Sequence, residues 1–179
     1  MKALILIDLQ NDFMPGGALA IPNADQILPM INKILPLFES VIATKDWHPE
    51  NHISFSIWPK HCIQNTKGAE FPKKLHVKEI EHVIYKGMDP NIDSYSAFFD
   101  NEKKHQTGLF EYLKRKKITH LYFVGVATDY CVLYSVLDAL ELGFQVTVVQ
   151  DGCRGIKEEA KAFETMRQKG AHLLSFSDL

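Results

Sequence analysis

Residues 120–143 read HLYFVGVATDYCVLYSVLDALELG, and this stretch determines the fold class of the chain. Its first residues, His120–Val124, are mostly apolar and predict a short β-strand. A turn follows, and Tyr130–Leu142 predicts a helix that ends at Gly143, because glycine commonly follows the last turn of a helix. The stretch is therefore a strand–turn–helix unit, from which α/β folds are built.

The same alternation of short strands and helices continues in both directions from this unit. The strands are apolar rather than alternating, which is typical of strands covered on both faces. We therefore predict an α/β fold, a doubly wound three-layer α/β/α arrangement with a mostly parallel six-stranded sheet, in a single domain over residues 1–179. The other predicted strands are Ala3–Ile7, Val41–Thr44, His82–Tyr85, Gln145–Val149 and His172–Ser175, and the other helices are Ile27–Phe38, Leu109–Lys116 and Glu158–Lys169.

Composition narrows the class of protein. With 20 basic and 22 acidic residues in 179, the net charge is −2, so nothing favours nucleic acid or an anionic membrane as a partner. No apolar stretch approaches the ~20 residues that a membrane span needs. The three cysteines do not form a CxxC pair, which suits a reducing compartment. We expect a cytoplasmic enzyme or binding protein, with Cys62 and Cys153 as small buried residues.

Four reactive side chains stand at the ends of the predicted strands. Asp8 ends the first strand, Asp46 follows the second, Lys86 follows the third, and Cys131 begins the helix after the fourth. In parallel α/β sheets, ligands bind beyond this carboxyl edge. A helix N-terminus and a lysine would lower the pKa of the thiol, and a carboxylate could accept its proton.

Each of these residues also has an ordinary structural explanation. A lone cysteine is usually a buried core residue, an aspartate after a strand is often a turn residue, and a lone lysine is usually solvated. Their convergence on the one edge where this fold places chemistry is what favours a nucleophile site.

The segment from Asp46 to Lys74 has little periodicity and is long enough to suggest function. It holds three of the eight histidines, His48, His52 and His61. Asp46, His48 and His61 together offer one carboxylate and two imidazoles, a set that suits one divalent transition metal such as Zn²⁺, Fe²⁺ or Mn²⁺. The alternative is a polar loop with incidental histidines.

Three aromatic residues, Phe13, Trp58 and Tyr95, lie in segments with loop-like sequence. Aromatic side chains are most often core residues. If these three converge near Cys131, they would form a flat slot for a planar ring.

Taken together, these motifs resemble one family, the nicotinamidases (pyrazinamidases) of the isochorismatase-like cysteine hydrolase superfamily. The matching segments follow in order along nearly the whole chain. They are Ile7–Phe13 with Pro15–Gly17, Lys45–His52, Trp58–Cys62, Tyr85–Gly87, Tyr95–Phe98 and Gly125–Val132. In this family, the combination of Asp46-Trp47-His48 with Trp58-Pro59 and His61-Cys62 separates nicotinamidases from metal-free isochorismatase relatives.

The resemblance implies a reaction and catalytic roles. It implies hydrolysis of nicotinamide, and of pyrazinamide, to the acid and ammonia through a thioester on Cys131. Asp8 would carry protons and Lys86 would keep the thiolate charged. A cis peptide between Val126 and Ala127 would help to direct the N–H groups of Ala127 and Cys131 towards the developing oxyanion.

The resemblance also implies binding residues. Asp46, His48 and His61 would hold the metal, with zinc favoured over iron or manganese, and His52 would support them. The expected substrate-binding residues are Phe13, Trp58, Tyr95, Val126 and Ala127.

Other interpretations remain open at this point. The same three catalytic residues could hydrolyse another small amide, or the chain could be an inactive metal- or ligand-binding protein on this fold. Isochorismate ether cleavage would need neither Cys131 nor the metal residues. The resemblance implies a place in NAD salvage and leaves a homo-oligomer open.

Overall fold

A computed structural model describes all residues from 1 to 179, and it contains the predicted sheet. The six strands lie in the order β3-β2-β1-β4-β5-β6, and every neighbouring pair is parallel. From β1, the strands β2 and β3 are added on one side and the strands β4, β5 and β6 on the other, so the strand order reverses between β1 and β4. In open α/β sheets, ligands bind beyond the carboxyl ends of the strands at this reversal. The strands are β1 Lys2–Ile7, β2 Val41–Asp46, β3 His82–Lys86, β4 His120–Val126, β5 Gln145–Arg154 and β6 His172–Leu174.

Four α-helices accompany the sheet, and two of them begin or end more than one residue from the predicted position. The helix expected over Ile27–Phe38 is α-helical only over Leu28–Ile34, because Pro36 has no N–H to continue the ladder and the chain tightens into a 3-10 turn at Leu35–Leu37. The helix expected from Tyr130 begins with a π-helical turn, Thr128–Val132, that contains Cys131. The helices are α1 Leu28–Ile34, α2 Leu109–Arg115, α3 Leu133–Glu141 and α4 Glu159–Gln168.

Strand β5 runs to Arg154, five residues beyond the predicted end at Val149. The apolar pattern stops at Val149, but backbone pairing with β4 continues after a register shift between Phe123 and Gly125. Sequence periodicity reports side-chain burial and does not report this backbone pairing, which is why the extension was missed.

Both faces of the sheet are buried, as the apolar strands predicted. Alternate residues of β1 enter different cores: Leu4 and Leu6 pack on the α1 side, and Ile5 and Ile7 pack on the side of α2, α3 and α4. All four side chains are fully buried. This gives the three-layer α/β/α arrangement with β1 at its centre.

Residues 47–81 connect β2 to β3 without an α-helix. They form three 3-10 turns, Ile53–Ser56, Lys67–Ala69 and Val77–Glu79, and pack Cys62, Ala69 and Leu75 into the α1-side core. The long excursion expected from the sequence is therefore confirmed. None of the helices is both long enough and apolar enough to cross a lipid bilayer.

Gly125 provides a test of how closely β1 and β4 approach. Its φ is +128°, and a Cβ added there would lie 2.2 Å from the carbonyl oxygen of Ile7. We expect Gly125→Ala to lower the free energy of unfolding by about 2–4 kcal/mol, because backbone strain and a backbone clash combine. Urea titration followed by circular dichroism measures this.

Gly143→Ala is the matched control for Gly125→Ala. Gly143 also has a positive φ, +88°, but an added Cβ would meet nothing within 4 Å. Gly143→Ala should lower the free energy of unfolding by about 1 kcal/mol, because only backbone strain contributes. Equal losses in the two variants would contradict the close approach of β1 and β4.

Candidate active site and metal site

Asp8, Lys86 and Cys131 meet at the carboxyl edge of the sheet. Lys86 Nζ lies 2.9 Å from Asp8 Oδ2 and 3.5 Å from Cys131 Sγ. Lys86 is the last residue of β3, Asp8 follows β1, and Cys131 follows β4, so the ends of three strands contribute to one cluster around the lysine ammonium. The structure therefore brings together the three residues that the sequence singled out.

Asp8 is fixed by its own backbone and by Thr44. Its φ is +48°, an uncommon value for a residue with a side chain, and it is fully buried. The Thr44 hydroxyl donates to Asp8 Oδ1 at 2.6 Å and accepts from the backbone N–H of Asp8 at 3.1 Å. Asp8 Oδ2 makes an ion-pair contact with Lys86 that lacks hydrogen-bond geometry, so this oxygen has capacity for a further proton donor.

Lys86 carries a buried charge with several partners. Its ammonium donates to Asp46 Oδ1 at 2.5 Å and to the carbonyl of Ser94 at 2.9 Å. Burial alone would lower the pKa of Lys86, but the carboxylates of Asp46 and Asp8 outweigh burial and hold it well above its usual range. The side chain is a permanent cation between two carboxylates.

The thiol of Cys131 differs from the expectation of a lowered pKa. Burial raises its pKa, and the negative charges of Asp8 and Asp46 add to this effect, so that Lys86 is not enough to offset them. The pKa of Cys131 lies well above the ordinary value, and the resting group is a thiol. Burial also raises the pKa of Asp8, to about 6, against the lowering effect of Lys86. A base is therefore available to the thiol at neutral pH.

Asp46, His48 and His61 form a compact set of donors beside this cluster. Nε2 of His48 lies 3.6 Å from Asp46 Oδ2, and Nε2 of His61 lies 3.9 Å from the same oxygen. Both imidazoles have Nδ1 2.7 Å from a backbone carbonyl, of Gly87 and of Pro59 respectively. Nδ1–H donation to these carbonyls leaves an Nε2 lone pair directed at Asp46, as in metal-binding histidines.

The electrostatics of the set also fit a cation. Nε2 of His48 is buried and has no hydrogen-bond partner, an expensive arrangement unless something occupies that position. Burial alone would raise the pKa of Asp46, but the charges of Lys86 and His48 hold it far below its usual range. Burial lowers the pKa of His61 and keeps that imidazole neutral. Burial would lower the pKa of His48, but the charge of Asp46 outweighs burial and raises it, so a metal ion bound there would replace a proton. One carboxylate and two imidazoles are a suitable donor set for a divalent transition metal.

His52 stacks on His48, with ring centroids 3.9 Å apart. The backbone N–H of Ser54 donates to its Nδ1 at 3.3 Å, so a neutral His52 carries its proton on Nε2, 3.9 Å from Asp93 Oδ1. His48, His52 and Asp93 form a second group with metal-binding spacing. The supporting role expected of His52 stays a prediction.

A small, narrow pocket opens above Cys131. Phe13, Trp58, Tyr95 and Ala127 line it, together with Asp46 and His61 of the metal set. Trp58 Nε1 donates to the Tyr95 hydroxyl at 3.3 Å, which links two of the aromatic walls. The pocket therefore joins an apolar slot, the thiol and the metal donors in one space.

Val126 is the one expected pocket residue that does not line this space. Its side chain is fully buried and packs in the α1-side core. The peptide that follows it, Val126–Ala127, is cis, as the resemblance implied. The carbonyl of Ala127 accepts the N–H groups of Tyr130 and Val132 at 3.1 Å each, and it does not accept that of Cys131.

Sequence reasoning missed several lining residues. Tyr130 adjoins Cys131, and its ring contacts Trp58 edge-on with centroids 5.1 Å apart, so its position next to the thiol was the available signal. Ile156 reaches the pocket because Asp129 accepts its backbone N–H at 2.8 Å, a contact between loops distant in sequence. The missed residues are Leu19, Ile21, Asp93, Tyr130 and Ile156.

Comparison with known proteins identifies the relatives of this chain. Residues 2–178 match the model of the isochorismatase domain family. The chain is 43% identical to a nicotinamidase of Escherichia coli, over 99% of this chain and 96% of that protein. A nicotinamidase/pyrazinamidase structure from Acinetobacter baumanii superimposes with a TM-score of 0.96 at 42% identity, covering 99% of this chain and 97% of the other.

A third relative carries a metal. The pyrazinamidase of Pyrococcus horikoshii, solved in complex with zinc, has a TM-score of 0.86 and 40% identity, with 97% of this chain and 98% of that chain covered. The α/β fold with an all-parallel six-stranded sheet is therefore shared along the whole chain.

The buried ammonium of Lys86 gives a prediction for stability. Lys86→Met leaves the carboxylates of Asp8 and Asp46 without their cation, so we expect the free energy of unfolding to fall by about 3–5 kcal/mol. The measurement is urea unfolding at pH 7. Lys104→Met is the control, because Lys104 pairs with Glu102 on the surface, and it should leave stability unchanged. Similar losses of unfolding free energy in both variants would show that the buried ion pairs of Lys86 stabilise the fold no more than a surface pair does.

Proposed function

The chain belongs to the isochorismatase domain family, and on that premise we propose that it is a nicotinamidase, an amidohydrolase that converts nicotinamide to nicotinic acid and ammonia and also accepts pyrazinamide. One observation carries the proposal beyond family membership. A single pocket is lined by the thiol of Cys131, by the metal donors Asp46 and His61, and by aromatic walls. These three features suit a heteroaromatic carboxamide: the aromatic walls pack on the ring, the metal site faces the ring nitrogen, and the thiol attacks the carboxamide carbon.

The substrate is a planar ring that fills the slot between Phe13 and Trp58, with Tyr95 closing one side. The pocket is narrow and most of its lining residues are hydrophobic, which suits a single flat ring. Ala127 contacts the carboxamide end through its backbone. Val126 acts only by placing that backbone, since its side chain points into the core.

Asp46, His48 and His61 hold one divalent metal ion, with zinc favoured and iron or manganese as alternatives. When bound, the metal supplies a positive point that orients the ring nitrogen of the substrate, directly or through water. Zinc in the Pyrococcus horikoshii relative supports this choice.

The reaction proceeds through a thioester. Asp8 accepts the proton of Cys131 as Sγ attacks the carboxamide carbon, and the backbone N–H groups of Ala127 and Cys131 receive the developing oxyanion. Asp8 then gives the proton to the amide nitrogen, the C–N bond breaks, and ammonia leaves. Water attacks the thioester, with Asp8 taking its proton, and cleavage of the C–S bond releases nicotinic acid and restores the thiol.

Lys86 stabilises the charges in this sequence. Its ammonium lies within 3.5 Å of Sγ, so it stabilises the thiolate that forms during attack. The high resting pKa of Cys131 means that the thiolate forms only as Asp8 takes the proton. From the resemblance we also place this reaction in cytoplasmic NAD salvage.

The decisive experiment is ammonia release from nicotinamide. Wild type should release ammonia, chelator should abolish release until zinc is restored, and Cys131→Ala should lose at least about 10⁴-fold in kcat, as losses of catalytic nucleophiles do. Cys153→Ala is the matched control: the same change at a thiol buried in β5, outside the pocket, should retain activity. Lack of release by metal-replete wild type would contradict the proposal, and equal activity of Cys131→Ala would contradict the mechanism.

The pH dependence reports on Asp8. Asp8 must be a carboxylate to accept the thiol proton, and its pKa is about 6. We therefore expect kcat/KM of metal-saturated enzyme to fall about tenfold per pH unit below pH 6 and to level off above it.

Thr44→Val tests the assignment of that acid limb. The Thr44 hydroxyl stabilises the carboxylate form of Asp8, so its removal should move the midpoint to higher pH. Metal content measured at each pH separates this shift from loss of the ion. A midpoint that stays in place in Thr44→Val would assign the limb to another group.

A further inference from the structure

Gln10 is a fully buried polar residue that the reaction does not use. Its Nε2 donates to the backbone carbonyl of Asp46 at 2.8 Å and to that of Ala69 at 3.0 Å. Its Oε1 accepts the backbone N–H of Asp46 at 2.8 Å. One side-chain amide therefore bonds both the N–H and the carbonyl of the same residue and has no donor hydrogen left over.

These bonds replace a missing stretch of β-strand. Pairing of β1 with β2 ends at Leu6 and Ala43, because the chain turns away at Asp8. On the β3 side Asp46 remains paired with Lys86. On the β1 side its backbone would be unpaired and buried, and the amide of Gln10 supplies the donor and the acceptor that a neighbouring strand would have provided.

The residue held in this way serves two groups at once. Asp46 Oδ1 accepts from the ammonium of Lys86 at 2.5 Å, and Asp46 Oδ2 faces His48 Nε2 and His61 Nε2. A rotation of the Asp46 backbone would move both oxygens. Second contacts that orient a metal-binding residue typically affect metal affinity by about 10–100-fold.

We propose that Gln10 is a positioning residue that locks the backbone of Asp46, so that one carboxylate simultaneously completes the metal site and fixes the ammonium of Lys86 beside Cys131. This inference rests on the metal site of the proposed function. It adds a route by which a residue that touches neither metal nor substrate sets both metal affinity and turnover.

The test is Gln10→Met, which keeps the length and bulk of the side chain and removes all three hydrogen bonds. Apoprotein prepared with chelator is titrated with Co²⁺, and binding is followed by visible absorption. We expect cobalt affinity to fall about 10–100-fold. In cobalt-saturated enzyme kcat should fall as well as KM rise, because Lys86 is loosened together with the metal site.

Thr147→Val is the stability control. Thr147 is buried and pairs with His120 Nε2 at 2.8 Å in the amino-terminal half of β5, away from the pocket. Thr147→Val should lower thermal stability and leave cobalt affinity and kcat unchanged. If Gln10 had a purely structural role, Gln10→Met would show this same pattern. Should Gln10→Met fail to fold, Gln10→Asn replaces it, since its amide is one methylene too short to bridge both backbone groups.

The outcomes separate the two proposals. Cobalt affinity within twofold of wild type in the Gln10 variant overturns the positioning role, even if wild type hydrolyses nicotinamide. Weakened cobalt binding in a protein that releases no ammonia from nicotinamide keeps the positioning role and overturns the substrate. Wild type that binds no cobalt overturns the positioning role together with the metal site.

Discussion

The ammonium of Lys86 is the interaction on which the site depends. A buried cation is tolerated only when it is paired and hydrogen-bonded, and Lys86 meets this condition with Asp8, Asp46 and the Ser94 carbonyl. Each partner belongs to a different segment, after β1, at the end of β2, and in the loop after β3. The contacts of the Lys86 ammonium therefore hold these three segments in place around the thiol of Cys131.

Charge balance explains why the proposed metal site and the proposed nucleophile lie side by side. Two buried carboxylates share one ammonium, so the cluster has an excess negative charge. Burial is the main cause of the raised pKa values of Asp8 and Cys131; Lys86 opposes it, and the neighbouring carboxylates add to it. The oxygen of Asp46 that faces away from Lys86 is directed at two imidazole lone pairs, an arrangement suited to a cation. Asp46 thus contacts both Lys86, which lies beside the thiol, and the two histidines.

The sequence predicted much of this arrangement because strand ends are visible in sequence. Apolar runs located all six strands, and the rule that parallel strands present their carboxyl ends at one edge placed Asp8, Asp46, Lys86 and Cys131 together. The failures occurred where the determining interaction is not local. The long tail of β5 depends on pairing with β4, and the pKa of Cys131 depends on its burial in the folded chain. The end of α1 is different: Pro36 is a local signal, which the helical spacing of the flanking apolar residues obscured. Ile156 enters the pocket only through a hydrogen bond to Asp129, which no periodicity reports.

The connection between β2 and β3 shows how the fold positions the proposed metal ligands His48 and His61. A continuous helix in this position would cover the sheet but would place His48 and His61 about 20 Å apart along its axis, since each residue adds about 1.5 Å, so the two imidazoles could not face one carboxylate. The irregular segment instead bonds to the rest of the chain: His48 and Cys62 pair through their backbones, and Asp12 Oδ2 accepts the N–H of Cys62 at 2.7 Å. Asp12 adjoins Phe13 in the wall of the pocket. The same segment after β1 therefore supplies the proposed proton carrier, the hydrogen bonds to the backbone of Asp46, the anchor of the loop that carries His61, and one side of the pocket. For this reason the order of residues from Asp8 to Phe13 constrains the whole site.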